Sequence, residues 1–310
     1  MLRPTILLLG LLSALCCRSQ TADAAKPPFV PVFTQIRKTV VFLELQCKDG
    51  NELKDVKGTG FLVQYPGTKS VAFGYVVTNR HLALCWNEKN RPMEVKSITV
   101  RVNLKDGTSP VIPLSLDGNV RWYFPADESV DLAVSRLGPP SNADVLMIPL
   151  SMVATKDVIA SKHIVEGMKI IFTGFFYQFP GVRKIQPIIR EGVLAMMPDE
   201  PITTYTGKPG MVYLGDVHIF GGNSGSPVFV DIAGPIPNGI QLDDYYLLGV
   251  VSGYFYEDQD FNLEVATTLK GTQHANSGIS IIVPAEAVRD LIENNPDLKL
   301  GRETALKNLK

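Results

Sequence analysis

The chain has 310 residues, 45% of them hydrophobic, and a formal net charge of −1 at pH 7. That supports a large buried core, in one large domain or two modest ones. With 30 basic residues against 31 acidic and no basic run, it lacks the electrostatic footprint of a nucleic-acid binder, so partners have to be argued from a site.

Residues 1–24 read as a secretory signal peptide. Arg3 gives a positive start, residues 5–17 form an apolar run short for a bilayer, and Ala22-Asp23-Ala24 places small residues where a signal peptidase cuts. Cleavage is expected near Ala24/Ala25. The mature protein is then exported, either periplasmic or secreted, with no membrane span. A lipid anchor on Cys16 or Cys17 is disfavoured by the residues that precede each. Only Cys47 and Cys85 remain in the mature chain, and export permits them one disulfide; two buried free thiols are the alternative.

From Lys26 to Phe33 the chain is Pro-rich, which suits an extended arm. Residues 39–46 (TVVFLELQ) and 58–64 (GTGFLVQ) are β-branched and aromatic runs split by a polar, Gly-containing loop, a hairpin signature. Residues 70–78 add a strand that runs straight into Asn79-Arg80-His81. Further strands are expected at 97–104, 111–116 and 132–137. Gly138-Pro139-Pro140-Ser141-Asn142 is the clearest break. Beyond it, strands are expected at 168–176, 185–196, 211–214, 227–232, 245–251 and 278–283. Pro284 opens a segment in which Val288, Leu291 and Ile292 share a face, so a helix of about three turns should end near Asn295-Pro296. The tail from Asp297 is polar and expected to fray. About a dozen short strands indicate an all-β sandwich or barrel pair. The break favours two barrels of similar size, 25–140 and 141–283, followed by the helix at 284–296 and a tail at 297–310.

Residues 220–229 (FGGNSGSPVF) set Ser224 in a glycine-rich turn beside an apolar run. Glycine permits φ > 0 and close approach of a ligand. The amides of Gly222 and Ser224 can then converge on one developing oxyanion. Upstream, His81 ends an apolar strand, and Asp131 abuts another in Val130-Asp131-Leu132-Ala133-Val134. A serine hydroxyl needs a base to take its proton, and the base needs an orienting third group. His81, Asp131 and Ser224 are the residue types for those roles. The four histidines, at 81, 163, 218 and 274, are scattered singly, with no His-x-x-x-His or Cys-x-x-Cys spacing. No metal or other cofactor is therefore expected.

Thr78-Asn79-Arg80-His81, Asp131-Leu132-Ala133-Val134 and Gly222-Asn223-Ser224-Gly225-Ser226-Pro227, in that order, resemble the three signatures of chymotrypsin-fold (trypsin-like) serine proteases. The bacterial HtrA-type and glutamyl-endopeptidase branch is the most similar, here without a following PDZ module. The resemblance spans about Val40 to Ile292. It implies two six-stranded antiparallel β-barrels, a short C-terminal helix, and a secreted serine endopeptidase that acts on protein or peptide substrates through a His81-Asp131-Ser224 triad and an acyl-enzyme. It also implies that the strand Gly249-Val250-Val251-Ser252-Gly253 pairs with extended substrate and that Ser252 hydrogen-bonds Asp131. His218, Ile219, Val251 and Tyr254 would border the primary pocket, with a small or medium apolar preference. The chain departs from the digestive enzymes at Asn223, where they carry aspartate, so activation by a freed N-terminal amine is not expected. A Cys47–Cys85 bridge would pin the corner after His81 by a route the animal enzymes do not use.

Two rival readings stay on the table. An α/β-hydrolase elbow would need glycine at 226 and a helix after the nucleophile, whereas Ser226 is followed by a strand-like run. A secreted pseudoprotease that only binds would keep the same fold, with a loop such as 199–210 (DEPITTYTGKPG) blocking its cleft.

Overall fold

Apolar residues alternate along the strands, but often both faces are buried, and the two faces serve different cores. In β1 (Val40–Asp49), Val41, Leu43, Leu45 and Cys47 face one cluster while Val40 and Phe42 face another. A period of two sorts side chains in this way. The structure, a computed structural model, describes residues 31–308 except 69–70, 88, 90, 115–120, 233–243 and 265–267. The signal peptide, the start of the N-terminal arm and the end of the 111–116 strand lie outside those residues.

The first sheet contains β1, β2 (Glu52–Thr68), β3 (Val71–Thr78), β4 (Glu94–Arg101), β5 (Val111–Pro113), β6 (Ala133–Arg136) and β7 (Ile148–Pro149). Its strand order is β5-β4-β1-β2-β3-β6, with β7 added in parallel on β2. The second sheet is a closed six-stranded antiparallel barrel. It is built from β8 (Lys169–Gly174), β9 (Ile188–Met196), β12 (Tyr213–Asp216), β13 (Pro227–Asp231), β14 (Tyr245–Glu264) and β15 (Thr268–Pro284). Between β9 and β12 a small hairpin, β10 (Ile202–Thr203) with β11 (Pro209–Gly210), stands apart from the barrel.

The chain is thus all-β with a short C-terminal helix, as its pattern indicates. The first lobe differs in detail: among the described residues β5 and β6 end the strand path without pairing to each other, so that sheet is not closed. β14 and β15 run well past their expected limits, as an antiparallel pair from Gly249↔Pro284 out to Glu264↔Thr268, with register shifts between Val251 and Gly253 and between Tyr254 and Tyr256.

One apolar cluster joins the lobes. Phe42, Phe61 and Tyr75 of the first sheet pack with Ile171, Phe229 and Tyr245 of the second, with Phe175 just past β8, and with Val288 and Ile292 of the helix Glu286–Asn294. Both sheets belong to a single compact unit, residues 31–310. A disulfide joins Cys47 on β1 to Cys85 just after His81, with both sulfurs buried in the first lobe's core.

Three helices depart from the expected pattern. Residues 32–37 form a helical turn and a half that begins on Val32 and Phe33, the end of the expected extended arm. Residues 156–161 form a helix capped by Thr155, whose hydroxyl accepts the Val158 amide. The polar tail from Asp297 is a helix, Pro296–Lys307, with Leu298 and Arg302 buried. The reason is local: Asn295 caps it by accepting the amides of Asp297 and Leu298, and Pro296 occupies the first turn. The Asn-Pro pair that stops the Glu286–Asn294 helix is also a start signal. Among the described residues no helix is long and apolar enough to cross a membrane.

Candidate active site

β3 delivers His81. Thr78 and Asn79 are fully buried, and Asn79 starts a single helical turn, Arg80–Ala83. The first amides of a helix have no partner within it. Here the His81 amide finds one in Asp131 Oδ1 (2.9 Å), while the Asn79 side chain donates to the Asp131 carbonyl (3.0 Å). The two segments are therefore stitched together before any imidazole contact is made. His81 Nδ1 then lies 2.8 Å from Asp131 Oδ2. With a proton on Nδ1 facing the carboxylate, Nε2 carries the lone pair and can act as a base.

Asp131 is 2% exposed, and its Oδ2 also accepts the hydroxyls of Ser252 (2.6 Å) and Tyr205 (2.7 Å). Burial pushes its carboxyl upward. The facing His81 and the two hydroxyls outweigh that effect and hold it down at about 2. Arg80, set beside Phe124 and donating to the Pro125 carbonyl, adds a positive charge nearby.

The serine turn is built from the other lobe and clamped by the first. Phe220 accepts the Asn223 amide across Gly221-Gly222, and Gly222 has φ +96°, a conformation that disfavours any residue with a Cβ. Asn223 is fully buried. Its Oδ1 accepts the Phe220 amide (2.8 Å) and its Nδ2 donates to the Phe175 carbonyl (3.1 Å). Thr59 of β2 reaches across: its amide donates to the Ser224 carbonyl (3.0 Å) and its hydroxyl to the Gly222 carbonyl (2.7 Å). The two carbonyls are thereby turned toward Thr59. Among the described residues the amides of Gly222 and Ser224 donate to nothing.

Ser224 is half-buried, and its Oγ donates to the Ser252 carbonyl (3.3 Å) rather than to His81. Ser252 thus touches both ends of the site, the carboxylate through its hydroxyl and the serine through its carbonyl. The remaining pocket residues are dispersed. Ile219 and Val251 pack into the second barrel's core and offer no side-chain surface, because their apolar burial there wins over a place in an open pocket. His218 is exposed, with its ring against Gly278. Tyr254 is half-buried beside Tyr256, ring centroids 4.8 Å apart. Gly253 lies under the ring of Tyr205. Sequence reasoning missed Thr59 and Tyr205. The first looks like an ordinary strand residue, and the second sits in a polar loop without periodicity.

No protein-family model and no curated protein matches the chain. Among solved structures, the crystal structure of Deg5 is similar, with a TM-score of 0.48 and 17% identity over 83% of this chain and 88% of that one. The chemistry of the site rests on its side chains.

Proposed function

We propose that the chain is an exported serine endopeptidase in which Ser224 is the nucleophile, His81 the general base and Asp131 the group that orients it. One observation carries this reading: Ser252 joins a buried carboxylate, itself bound to His81 Nδ1 at 2.8 Å, to a half-exposed serine whose turn leaves two amides undonated. Rotation about χ1 takes Ser224 Oγ from the Ser252 carbonyl toward Nε2. His81 accepts the hydroxyl proton as Oγ attacks the peptide carbonyl, and the amides of Gly222 and Ser224 receive the oxyanion. The leaving amine takes the proton from His81, and water releases the acyl group by the same steps in reverse. Catalytic hydrogen bonds of this kind are often long before substrate binds.

The Asn223 contacts hold the serine turn with no charged partner, which fits activity without a freed N-terminus. The Cys47–Cys85 bridge fits an oxidising, exported setting. The substrate is a peptide or protein, with the strand carrying Ser252-Gly253-Tyr254 adding to an extended backbone.

A second reading has an observation of its own. The 199–210 loop does reach the groove, and Tyr205 lies over Gly253, as a non-catalytic binding module would require of a blocked cleft. Labelling by a fluorophosphonate separates the two, since only an activated serine reacts. The native protein should label and Ser224→Ala should not, with peptide cleavage falling roughly 10⁶-fold in the variant. An unlabelled native protein means the binding module.

A further inference from the structure

We propose that Tyr205 is a positioning residue for the Asp131–His81 pair, a fourth member of the hydrogen-bonded relay supplied by the 199–210 loop. This deepens the endopeptidase reading and rests on it. The Tyr205 hydroxyl lies 2.7 Å from Asp131 Oδ2, 3.0 Å from Ser252 Oγ, 3.1 Å from His81 Nδ1 and 3.4 Å from the Ser252 carbonyl. A phenol has one proton to give. Burial, and then the charge of Asp131, push its pKa well above the usual value, so the proton stays and the group is a donor. The acceptor nearest to it is also the charged one, Oδ2, and a hydrogen bond to a charge is the strongest the site offers.

The placement of this hydroxyl is built rather than incidental. β10 and β11 close a short hairpin whose tip is shaped by Thr204, which accepts the Gly207 amide on its carbonyl. That hairpin leaves the second lobe and docks on the first, on the segment just before Asp131. Lys208 pairs with Glu128, and Gly210 packs against Ser129. The Tyr205 ring meets His81 edge-on, with centroids 5.9 Å apart and planes at 89°. On its other side, a Cβ at Gly253 would come within 2.6 Å of Tyr205 Cε1, so the strand carries no side chain where the ring rests. The imidazole and the strand thus set the ring's place, and the ring delivers the hydroxyl to the carboxylate. Without it, Oδ2 keeps the donors from Ser252 and His81 but loses the one supplied by the 199–210 loop. Asp131 and the imidazole it orients are then free to rock.

The test compares native protein with Tyr205→Phe, which keeps the ring and removes only the hydroxyl; near-UV circular dichroism checks folding. The expected result is a fall in kcat of roughly tenfold, the scale of one charge-assisted hydrogen bond, with KM within about twofold and a matching fall in fluorophosphonate labelling rate. A second readout does not require activity. In protein labelled with ¹⁵N at histidine, the His81 Nδ1–H signal, assigned through its loss in Asp131→Asn, should exchange with water about tenfold faster in Tyr205→Phe, on the same hydrogen-bond scale. Unchanged kcat, labelling and exchange would overturn the proposal. So would faster labelling in Tyr205→Phe, which would make the residue a plug. Native protein that does not label, but shows the exchange difference, would defeat the endopeptidase reading and leave the positioning role intact.

Discussion

The two halves of the site are held in opposite ways. At the Asp131 corner the side chain itself is fixed: both carboxylate oxygens are occupied, by the His81 amide on Oδ1 and by His81, Ser252 and Tyr205 on Oδ2. At the serine turn the backbone is fixed, by Thr59 on two carbonyls and by Asn223 on Phe220 and Phe175, while Ser224 Oγ has one long bond at 3.3 Å. The difference follows from what each part would do. A carboxylate that orients a base gains from immobility, whereas a nucleophile has to travel from a resting contact to a carbonyl carbon. Rigidity is placed around the atom that moves and withheld from the atom itself.

The comparison can be broken at either half. The largest expected effect comes from Asp131→Asn, which keeps the shape but presents an amide to Nδ1 and favours the wrong tautomer. Activity should fall about 10⁴-fold in kcat while the fold survives. A loss below about tenfold in steady-state peptide cleavage would show that the corner is not what orients His81. Thr59→Val should act on the other half. It leaves the buried Gly222 carbonyl and the Phe175 amide without their hydroxyl partner. The expected cost is about 2–4 kcal/mol in urea unfolding, from two buried groups losing a partner. Activity should drop with it, since the Gly222 carbonyl contact helps hold the turn that carries the undonated amides.

The smallest effect sharpens the comparison through pH. Asp131 has its carboxyl lowered to about 2 in the folded chain, against an ordinary value of 3.8. A depressed folded value means that the stabilisation is complete above the unfolded pKa and is lost as pH falls through the folded one. The contribution, about 2 kcal/mol, should therefore be present above about pH 4 and disappear between there and about pH 2. Unfolding free energies of native protein and Asp131→Asn, measured across that window, should converge toward the acid end. A constant difference would mean that the carboxylate's contacts do not favour its charged form.

Much of this was legible in the residues, and the limits are instructive. His81 and Asp131 each adjoin an apolar strand and Ser224 sits in a glycine turn, so each had a local signal. Their contacts follow from strand pairing, as when Thr78↔Ala133 brings the two strand ends level. Tyr205 had no such signal. Its partner lies 74 residues away, and the loop that carries it is polar, aperiodic and docked by a lysine–glutamate pair rather than by apolar side chains. Ile219 and Val251 have apolar side chains buried in the second barrel's core, which their apolar runs alone would indicate. The tail helix, Pro296–Lys307, was missed for a different reason, because Asn295-Pro296 ends one helix and begins another, and the two meanings are identical in one dimension.

The Thr59 contacts tie the nucleophile's backbone to a strand from the opposite half of the polypeptide. Cutting between residues 138 and 142 and separating the fragments would leave His81 and Asp131 on one piece and Ser224 on the other, each without the scaffold that shapes it. On the proposed reading, catalytic competence would be a property of the docked pair. On heating, turnover should vanish at the temperature where the halves part, even if either half keeps its strands beyond it.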